Sequence, residues 1–418
     1  MNLHDDLIAL ADRAVAASRQ LALLTARQKN LMLQAMADAV EERRADILAA
    51  NRTDLDDGRQ AGLSPAMLDR LTLNAARLDG MVQAIRAVAE LKDPVGARLS
   101  RRIRPNGLEI LKQRVPIGVI GIIYESRPNV TADSAALCVK ASNAVILRGG
   151  KESIRSNAAI ADALVEGGER RRLPAHAIQL IRTTDHEAVR ELVQLEGKVD
   201  LVIPRGGESL IRAVAENARV PVIKHYKGVC HTYVDEAADL AKALDICENA
   251  KCQRPGVCNA METLLVHAQV APEFLPRMAE RYAKYGVRLK GCPVTLDILP
   301  GVEPATEEDW YAEYLDLILA VRVVGSVAEA VDHINRYGSR HSDAIVTQSK
   351  AAARTFTREV DSAAVYVNAS TRFTDGGEFG MGAEIGISTD KIHARGPMAL
   401  EELTTYKYVI HGSGQVRG

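Results

Sequence analysis

Apolar residues recur at helical spacing through the N-terminal part of the chain. Leu7, Ala11 and Val15 lie four positions apart, which places them on one face of a helix. We therefore predict helices over residues 3–92. Asp93-Pro94 ends this region, because proline cannot continue a helix.

A short extended arm is predicted next. Residues 102–112 alternate in character and are interrupted by the turn sequence Pro105-Asn106-Gly107, a pattern typical of a hairpin. Residues 402–410 also predict a strand. We expect this last strand to pair with the arm, either within one subunit or between subunits.

From Val115 onward, short apolar runs rich in β-branched residues alternate with helical segments. This order is typical of a parallel sheet with helices on both faces, and we predict an α/β fold with a second α/β region. The strands predicted for the first sheet are 117–123, 144–147, 177–181, 199–203 and 220–223. Those predicted for the second region are 231–234, 262–266, 318–324, 343–346 and 365–367, followed by a glycine-rich loop at 376–382.

Composition and charge narrow the class of protein. The 418 residues are 47% apolar, which is ordinary for globular proteins and enough for a large core. Lysine and arginine total 53 and aspartate and glutamate 54, a formal charge of −1. This balance argues against nucleic acid or a membrane as a partner. Six cysteines are too few for a disulfide scaffold, so we expect a cytoplasmic chain with reduced thiols.

Two glycine pairs follow predicted strands of the first sheet, Gly149-Gly150 and Gly206-Gly207. At a strand-to-helix turn, backbone N–H groups can face an anion. Neither pair has the G-x-G-x-x-G spacing of a dinucleotide fingerprint, so glycines that only make tight turns remain an alternative. Arg148 and Lys151 add positive charge that suits a nucleotide with an extra ribose phosphate.

Cys258 is the candidate nucleophile. It follows Pro255-Gly256 and precedes a predicted strand, and the cationic Lys251 and Arg254 could supply the potential that favours a thiolate. Cysteine is more often a small buried hydrophobe. We apply that interpretation to Cys138, Cys230, Cys247 and Cys292, and leave Cys252 undecided. A zinc site from Cys247, Cys252 and Cys258 lacks the usual C-x-x-C pair, so we expect no metal.

Two polar segments, 332–343 and 367–373, carry side chains suited to small polar ligands, although solvated loops often look the same. A thiol hydrolase that pairs Cys258 with His341 or His225 is one alternative function. A non-enzymatic dinucleotide-binding scaffold is another.

Three segments together resemble the γ-glutamyl phosphate reductases, a branch of the aldehyde dehydrogenase superfamily. They are VPIGVIGIIYESRPNVT at 115–131, QRPGVCNAMET at 253–263, and 331–345. The resemblance covers almost the whole chain. It implies NADPH-dependent reduction of L-glutamyl 5-phosphate to L-glutamate 5-semialdehyde through a cysteine thioacyl intermediate, the second step of proline biosynthesis. It also implies a homo-oligomer and functional coupling to glutamate 5-kinase.

The resemblance further implies an aldehyde dehydrogenase-like division of the chain. Residues 1–100 and 116–228 would form the NADPH-binding domain and 229–397 the catalytic domain. Residues 101–115 and 398–418 would form a small oligomerisation arm.

The family's catalytic cysteine corresponds to Cys258, and either Asn129 or Ser126 would assist the oxyanion. The superfamily's ribose-contacting glutamate falls at Glu313, and its phosphate-contacting lysine falls at Arg148, with Lys151 nearby. The predicted cofactor contacts are Arg148, Gly149, Lys151, Arg205, Gly206, Gly207, Ser209 and Glu313. The predicted substrate contacts are Arg254, His341, Asn368 and Arg372.

Hydrolytic relatives carry a general-base glutamate before a Leu-Gly-Gly sequence. The corresponding stretch here, 224–228, is Lys-His-Tyr-Lys-Gly. We therefore expect phosphate rather than water to release the thioacyl enzyme, and an ordinary NAD(P)-dependent aldehyde dehydrogenase is the rival enzyme. Glu262 could replace the missing base, but its predicted strand leads away from the cysteine turn.

Overall fold

The computed structural model describes residues 2–417, which form two compact units. The first comprises the chain up to Lys224, Gly380–Gly386, and the chain from Met398 onward. The second comprises His225–Phe379 and Ile387–Pro397. Each unit has a parallel sheet accompanied by helices, which confirms the α/β class.

The helices are α1 (Leu3–Leu21), α2 (Ala26–Glu42), α3 (Arg44–Gln60), α4 (Pro65–Leu71), α5 (Ala75–Glu90), α6 (Asn129–Lys140), α7 (Ile154–Glu169), α8 (Glu187–Leu192), α9 (Glu208–Asn217), α10 (Leu240–Cys252), α11 (Ala271–Ala283), α12 (Pro293–Ile298), α13 (Glu307–Trp310), α14 (Val327–Tyr337) and α15 (Lys350–Glu359). Within residues 2–417, no helix has both the length and the apolar character that crossing a bilayer requires.

The strands are β1 (Arg98–Ile103), β2 (Glu109–Pro116), β3 (Val119–Tyr124), β4 (Ala144–Arg148), β5 (Ile178–Leu180), β6 (Leu201–Arg205), β7 (Cys230–Val234), β8 (Met261–His267), β9 (Arg288–Gly291), β10 (Glu303–Pro304), β11 (Ile318–Val324), β12 (Ser342–Val346), β13 (Ala364–Val367), β14 (Gly386–Ser388), β15 (Gly396–Met398) and β16 (Thr404–His411).

The N-terminal helices begin at residues that satisfy their first backbone N–H groups. Asn2 caps α1, and Thr25 forms a capping box with Gln28 at the start of α2. Helix α2 lies close against α7, where a Cβ on Gly167 would overlap the carbonyl of Ala35. A glycine is therefore required for this backbone-to-backbone approach.

The first sheet has the order β5-β4-β3-β6, with every pair parallel. The predicted fifth strand at 220–223 is wrong: only Val222 forms a bridge, to Val202 of β6. The Val202 N–H donates to the Pro221 carbonyl and the Ile223 N–H donates to the Val202 carbonyl. Pro221 has no N–H with which to extend the ladder.

The predicted arm is a three-stranded antiparallel sheet in the order β1-β2-β16. The last strand therefore pairs with the hairpin within one chain. Tyr406, Tyr408 and Ile410 on β16 are exposed.

The second sheet has the order β10-β9-β11-β8-β7-β12-β13, also parallel. Every residue of β7, β8 and β12 is buried, as expected for central strands covered on both faces. Strands β9 and β10 were not predicted, because Arg-Leu-Lys-Gly and Glu-Pro carry no apolar run.

A fully buried ion pair joins the end of α10 to the start of β8. Lys251 Nζ lies 2.6 Å from Glu262 Oε2, and neither side chain is exposed. Glu262 Oε1 accepts the Leu315 N–H at 3.1 Å, and Leu315 has a φ of 53°, in the left-handed region. Burial raises the pKa of Glu262 to about 7 and lowers the pKa of Lys251, and the contact between the two charges opposes both effects.

A second buried polar group is His333 on α14. Its Nδ1 lies 3.2 Å from Arg322 Nη1 and must accept, because a guanidinium only donates. The ring meets the edge of Trp310 at a centroid distance of 5.4 Å. Burial, and after it the electrostatic interaction with His231, lower the pKa of His333 to about 2.

The ion pair predicts a strongly non-additive pair of substitutions. Lys251→Met leaves a buried carboxylate unpaired and should lower the free energy of unfolding by about 3–5 kcal/mol. Adding Glu262→Gln removes the charge yet keeps an acceptor for the Leu315 N–H, so the double variant should recover most of that loss. Urea unfolding measures both. Equal stabilities for wild type and Lys251→Met would contradict the account.

His333 predicts an acid-sensitive second unit. The unfolded chain takes up a proton on this residue below its ordinary pKa of 6.5, whereas the folded chain does not until about 2. The contribution of His333 to the free energy of unfolding is therefore present above pH 6.5. It falls by about 2 kcal/mol as the pH is lowered to 5. His333→Phe should remove that fall, and exposed His411→Phe should not. Trp310, the single tryptophan, reports unfolding by fluorescence.

Candidate active site

Cys258 lies in the turn between α10 and β8, half-buried. A Cβ on Gly228 would overlap the Cα and carbonyl of Cys258, so only glycine allows these two segments to approach so closely. The Cys230 thiol donates to the Cys258 carbonyl at 3.2 Å. The backbone of the candidate nucleophile is thus held from the β7 side.

Two histidines accompany the Cys258 thiol. One ligating atom from each of His225, Cys258 and His341 lies within 4.8 Å of the others. The three residues lie one to five positions before three strands that are neighbours in the sheet, namely β7, β8 and β12. The cluster therefore forms at the amino ends of adjacent parallel strands.

Hydrogen bonds hold both histidine rings, and the bond of His225 also fixes its tautomer. His225 Nδ1 lies 2.8 Å from the Ile387 carbonyl oxygen, and a carbonyl only accepts. His225 therefore carries its proton on Nδ1, and its Nε2 has the lone pair. His341 is buried, and its Nδ1 contacts Ser342 Oγ at 2.9 Å.

The residue after the cysteine clamps the turn to the loop that follows β13. The Asn259 side-chain amide donates to the Thr374 carbonyl at 2.8 Å, and the Thr371 hydroxyl donates to the Asn259 carbonyl at 2.8 Å. The Arg372 guanidinium donates to the Asn259 side chain and, at 2.9 Å, to Gln253 Oε1. These bonds fix the residue that directly follows Cys258.

Positive charge lies near the thiol on Arg254 and Arg372. The sequence analysis named Lys251 and Arg254 for this role, but Lys251 is buried in its ion pair with Glu262. Burial, and after it the nearby Arg254 guanidinium, lower the pKa of Arg372, and the Cys258 thiol interacts with it electrostatically in the opposite sense. Two guanidiniums and a sulfur atom therefore share one neighbourhood. Such a group can attract a carboxylate or a phosphate.

The other thiols are less suited to nucleophilic attack. Burial raises the pKa of Cys138, Cys230 and Cys247 above its usual range and raises that of Cys252 to about 11. Thiols of this kind stay protonated near neutral pH. This agrees with the structural interpretation of the first three and favours the same one for Cys252.

Carboxylates near the turn are engaged in other bonds. Glu313 Oε1 accepts the Gly228 N–H at 2.8 Å, which places this residue beside the cysteine turn. Both oxygens of Glu262 are used by Lys251 and Leu315. Glu262 is therefore fixed in the core of the second unit, which disfavours it as a mobile base.

The Asn368 side chain joins the end of β13 to the end of β12. Asn368 has a φ of 57°, and its side-chain amide pairs with both the N–H and the carbonyl of Thr347 at 2.9 Å. Its predicted substrate contact remains a prediction.

In the first unit, the turn between β6 and α9 binds an anionic oxygen of the chain itself. Glu125 Oε2 accepts the Gly207 N–H at 2.8 Å, and a Cβ on Gly206 would overlap the same oxygen. Helix α9 begins here without a cap from Gly207, while Ser209 is exposed in its first turn. A backbone N–H of this turn thus donates to a carboxylate oxygen, and its contact with a ligand anion remains a prediction.

Arg148 and Lys151 differ in their surroundings. The Arg148 side chain is buried, and its guanidinium donates to the carbonyls of Gly149, Thr184 and Asp185 at 2.8–3.3 Å. Burial lowers its pKa. Lys151 is exposed at the start of a short 3₁₀ turn, so it is the better placed of the two for a ligand phosphate.

The two alternative oxyanion donors also lie in the first unit. Ser126 has a φ of 39°, and both its N–H and its hydroxyl donate to Glu152 Oε1, at 2.7 and 2.6 Å. The Asn129 amide donates to Asp133 at 2.9 Å, and burial raises the pKa of Asp133 to about 6. Asn129 is exposed and Ser126 is buried, and the choice between them remains a prediction.

Sequence reasoning missed three contributors. Cys230 was assigned to the core alone, and Glu125 and Glu152 were given no role beside the glycine turns. Glu125 and Ser126 belong to the Tyr-Glu-Ser-Arg-Pro-Asn run that carries the resemblance. That run was the available signal for Glu125, whereas nothing local marks Cys230.

Comparison with known proteins agrees with this architecture. The profile described as "Aldehyde dehydrogenase family" matches residues 3–290. A γ-glutamyl phosphate reductase from Carboxydothermus hydrogenoformans is 56% identical over 414 residues, covering 99% of this chain and 100% of that protein.

Solved structures extend the comparison. The crystal structure of γ-glutamyl phosphate reductase from Thermotoga maritima matches with a TM-score of 0.97 at 49% identity, covering 99% of this chain and 100% of that one. An engineered glycolyl-CoA reductase with bound NADP⁺ matches at 15% identity and a TM-score of 0.67, covering 96% of each chain, a likeness of fold alone. Over nearly its full length, therefore, the chain belongs to the γ-glutamyl phosphate reductases of the aldehyde dehydrogenase superfamily.

Proposed function

We propose that this protein reduces L-glutamyl 5-phosphate to L-glutamate 5-semialdehyde with NADPH and releases phosphate, as a step of proline biosynthesis. The observation that carries the proposal is the Cys258 turn. Its thiol lies with two histidines and is electrostatically coupled to Arg372, which has Arg254 nearby. Each of these groups suits covalent chemistry on an anionic acyl donor.

Cys258 begins the reaction as the nucleophile. His225 Nε2, whose lone pair is fixed by the Nδ1–H bond to Ile387, takes the thiol proton. The thiolate attacks the acyl carbon, the bond from that carbon to the phosphate oxygen breaks, and a thioester forms on Cys258. The departing phosphate takes the proton from His225, so charge does not accumulate on the ring.

When bound, NADPH supplies a hydride to the thioester carbon. The resulting alkoxide expels the Cys258 thiolate as the carbon–sulfur bond breaks, and the aldehyde is released. The thiolate then regains a proton from solvent. The backbone N–H of Cys258, together with Asn129 or Ser126, is proposed to stabilise the oxyanion.

The chain's residues fit a dinucleotide. The Gly206-Gly207 turn already holds a carboxylate oxygen on a backbone N–H, and a phosphate oxygen has the same requirement. Arg205 and Ser209 flank that turn. Lys151 would contact the extra ribose phosphate, Arg148 would support the Gly149 turn, and Glu313 would contact the nicotinamide ribose.

Arg254, Arg372 and His341 are proposed to hold the charged groups of the substrate. We further propose a homo-oligomer that uses the exposed aromatic residues of β16, and functional coupling to glutamate 5-kinase. All six cysteines are free, which suits the reducing cytoplasm.

The release step tests the proposal against the rival aldehyde dehydrogenase. We expect NADPH formation from L-glutamate 5-semialdehyde and NADP⁺ to depend on inorganic phosphate or arsenate. Hydrolysis without the general-base glutamate of hydrolytic relatives should be slower by about 10²–10⁴-fold. Cys258→Ser should fold, yet lose about 10³-fold or more in rate, while the matched Cys252→Ser stays active. Absorbance follows the reaction, with NAD⁺ as the comparison cofactor.

Three results would count against this function. A fast rate that does not depend on phosphate would indicate a hydrolytic aldehyde dehydrogenase. An equal rate with NAD⁺ would remove the NADPH preference. Thioester hydrolysis without nicotinamide turnover would favour a thiol hydrolase that uses Cys258 and His225.

A further inference from the structure

We propose that Cys258, His225 and His341 form a reversible, inhibitory binding site for Zn²⁺. One nitrogen from each histidine and the sulfur lie within 4.8 Å of one another. This donor set differs from the three cysteines that the sequence analysis considered and rejected as a zinc site, and the proposal departs from its expectation of no metal. Cys247 is fully buried in the core of the second unit, whereas Cys258 and His225 are only half-buried.

The donor types match zinc better than other common divalent ions. Thiolate and imidazole are the ligands that Zn²⁺ prefers, whereas Mg²⁺ and Ca²⁺ prefer oxygen ligands. Bond lengths of about 2.0–2.3 Å and tetrahedral angles place such donors about 3.4–3.6 Å apart. The distances between the donor atoms therefore have to shorten by at most about 1.4 Å, which side-chain rotation can supply.

The rings are held as metal-binding histidines usually are. A histidine ligand commonly donates its second N–H to a carbonyl or hydroxyl group, which fixes the ring and its tautomer. His225 does this through Nδ1 to the Ile387 carbonyl at 2.8 Å. His341 places Nδ1 2.9 Å from Ser342 Oγ, and the Ser342 hydroxyl is itself bonded to Thr374 at 2.6 Å. Ligation would use Nε2 of each ring.

Binding would block the nucleophile. The Cys258 thiol releases its proton to solvent as sulfur bonds to the metal, and that sulfur can no longer attack an acyl carbon. Three protein ligands leave a fourth position for water or a small anion. Arg372, which is coupled electrostatically to Cys258, opposes a second positive charge and keeps the affinity moderate, so a chelator should restore the enzyme.

Cobalt provides a direct probe, because Co²⁺ binds the same ligands and a cobalt–thiolate bond absorbs in the near ultraviolet. We expect the full-length, metal-free protein to bind one Co²⁺ per chain with this band and to lose the band when Zn²⁺ is added. Cys258→Ser should abolish the band. His225→Gln and His341→Gln should each weaken Co²⁺ binding by more than the about 10–100-fold that loss of a second-shell partner costs.

Matched controls are Cys252→Ser and His411→Gln, a half-buried thiol and an exposed histidine outside the cluster. Both should bind Co²⁺ as the wild type does. Circular dichroism checks the fold of every variant. If His341→Gln disturbs folding because His341 is buried, the result for half-buried His225→Gln decides the test.

A second readout is the rate at which iodoacetamide alkylates Cys258. Zn²⁺ should slow it strongly in the wild type, and a chelator should restore it. Persistence of the band in Cys258→Ser, unchanged binding in His225→Gln, or alkylation indifferent to Zn²⁺ would each overturn the site. None of these measurements needs turnover, so failure of the site and failure of the proposed reaction remain distinguishable.

Discussion

The second unit depends on a charge pair that water does not reach. Lys251 lies in the last turn of α10, Glu262 is the second residue of β8, and the eight-residue turn that carries Cys258 runs between these two elements. The second oxygen of Glu262 holds the backbone of Leu315 in a left-handed conformation. A buried pair adds little net stability, but removing one partner is strongly destabilising because the other charge stays buried and unpaired. Here it fixes both the cysteine turn and the loop that carries Glu313.

Local sequence was sufficient for most of the fold. The central strands β7, β8 and β12 each contain a short apolar run, namely 233–234, 264–266 and 344–346, so they could be predicted without any tertiary information. Strand β9 is a short polar segment whose pairing with β11 comes from tertiary contacts. Residues 220–223 show the opposite error, since their apolar run predicts a strand that does not form. Pro221 has no N–H group, so this segment lacks one of the donors that a strand needs for pairing.

The candidate site was predictable only in part, because some of its residues are adjacent in sequence and others are brought together by the order of strands in the sheet. Cys258 was found because its chemistry depends on its neighbours in the chain. The association of His341 with Cys258 and His225 depends on strand order, since β12 lies beside β7 in the sheet although four other strands separate the two in sequence. Arg148 shows that sequence position alone can mislead. It lies at a glycine turn of the kind that binds phosphate, yet its guanidinium donates to backbone carbonyls. Burial, which decides between the two uses, was not readable from the sequence.

The central claim is that the reaction passes through an acyl group on Cys258, and its most direct test is a single-turnover experiment without phosphate. The protein is mixed with L-glutamate 5-semialdehyde and NADP⁺, and NADPH and protein mass are followed together. The account predicts a burst of NADPH equal to the number of subunits, a glutamyl adduct on the peptide that contains Cys258, and loss of that adduct when phosphate is added. A burst without an adduct, or an adduct on Cys252 or another residue, would contradict it.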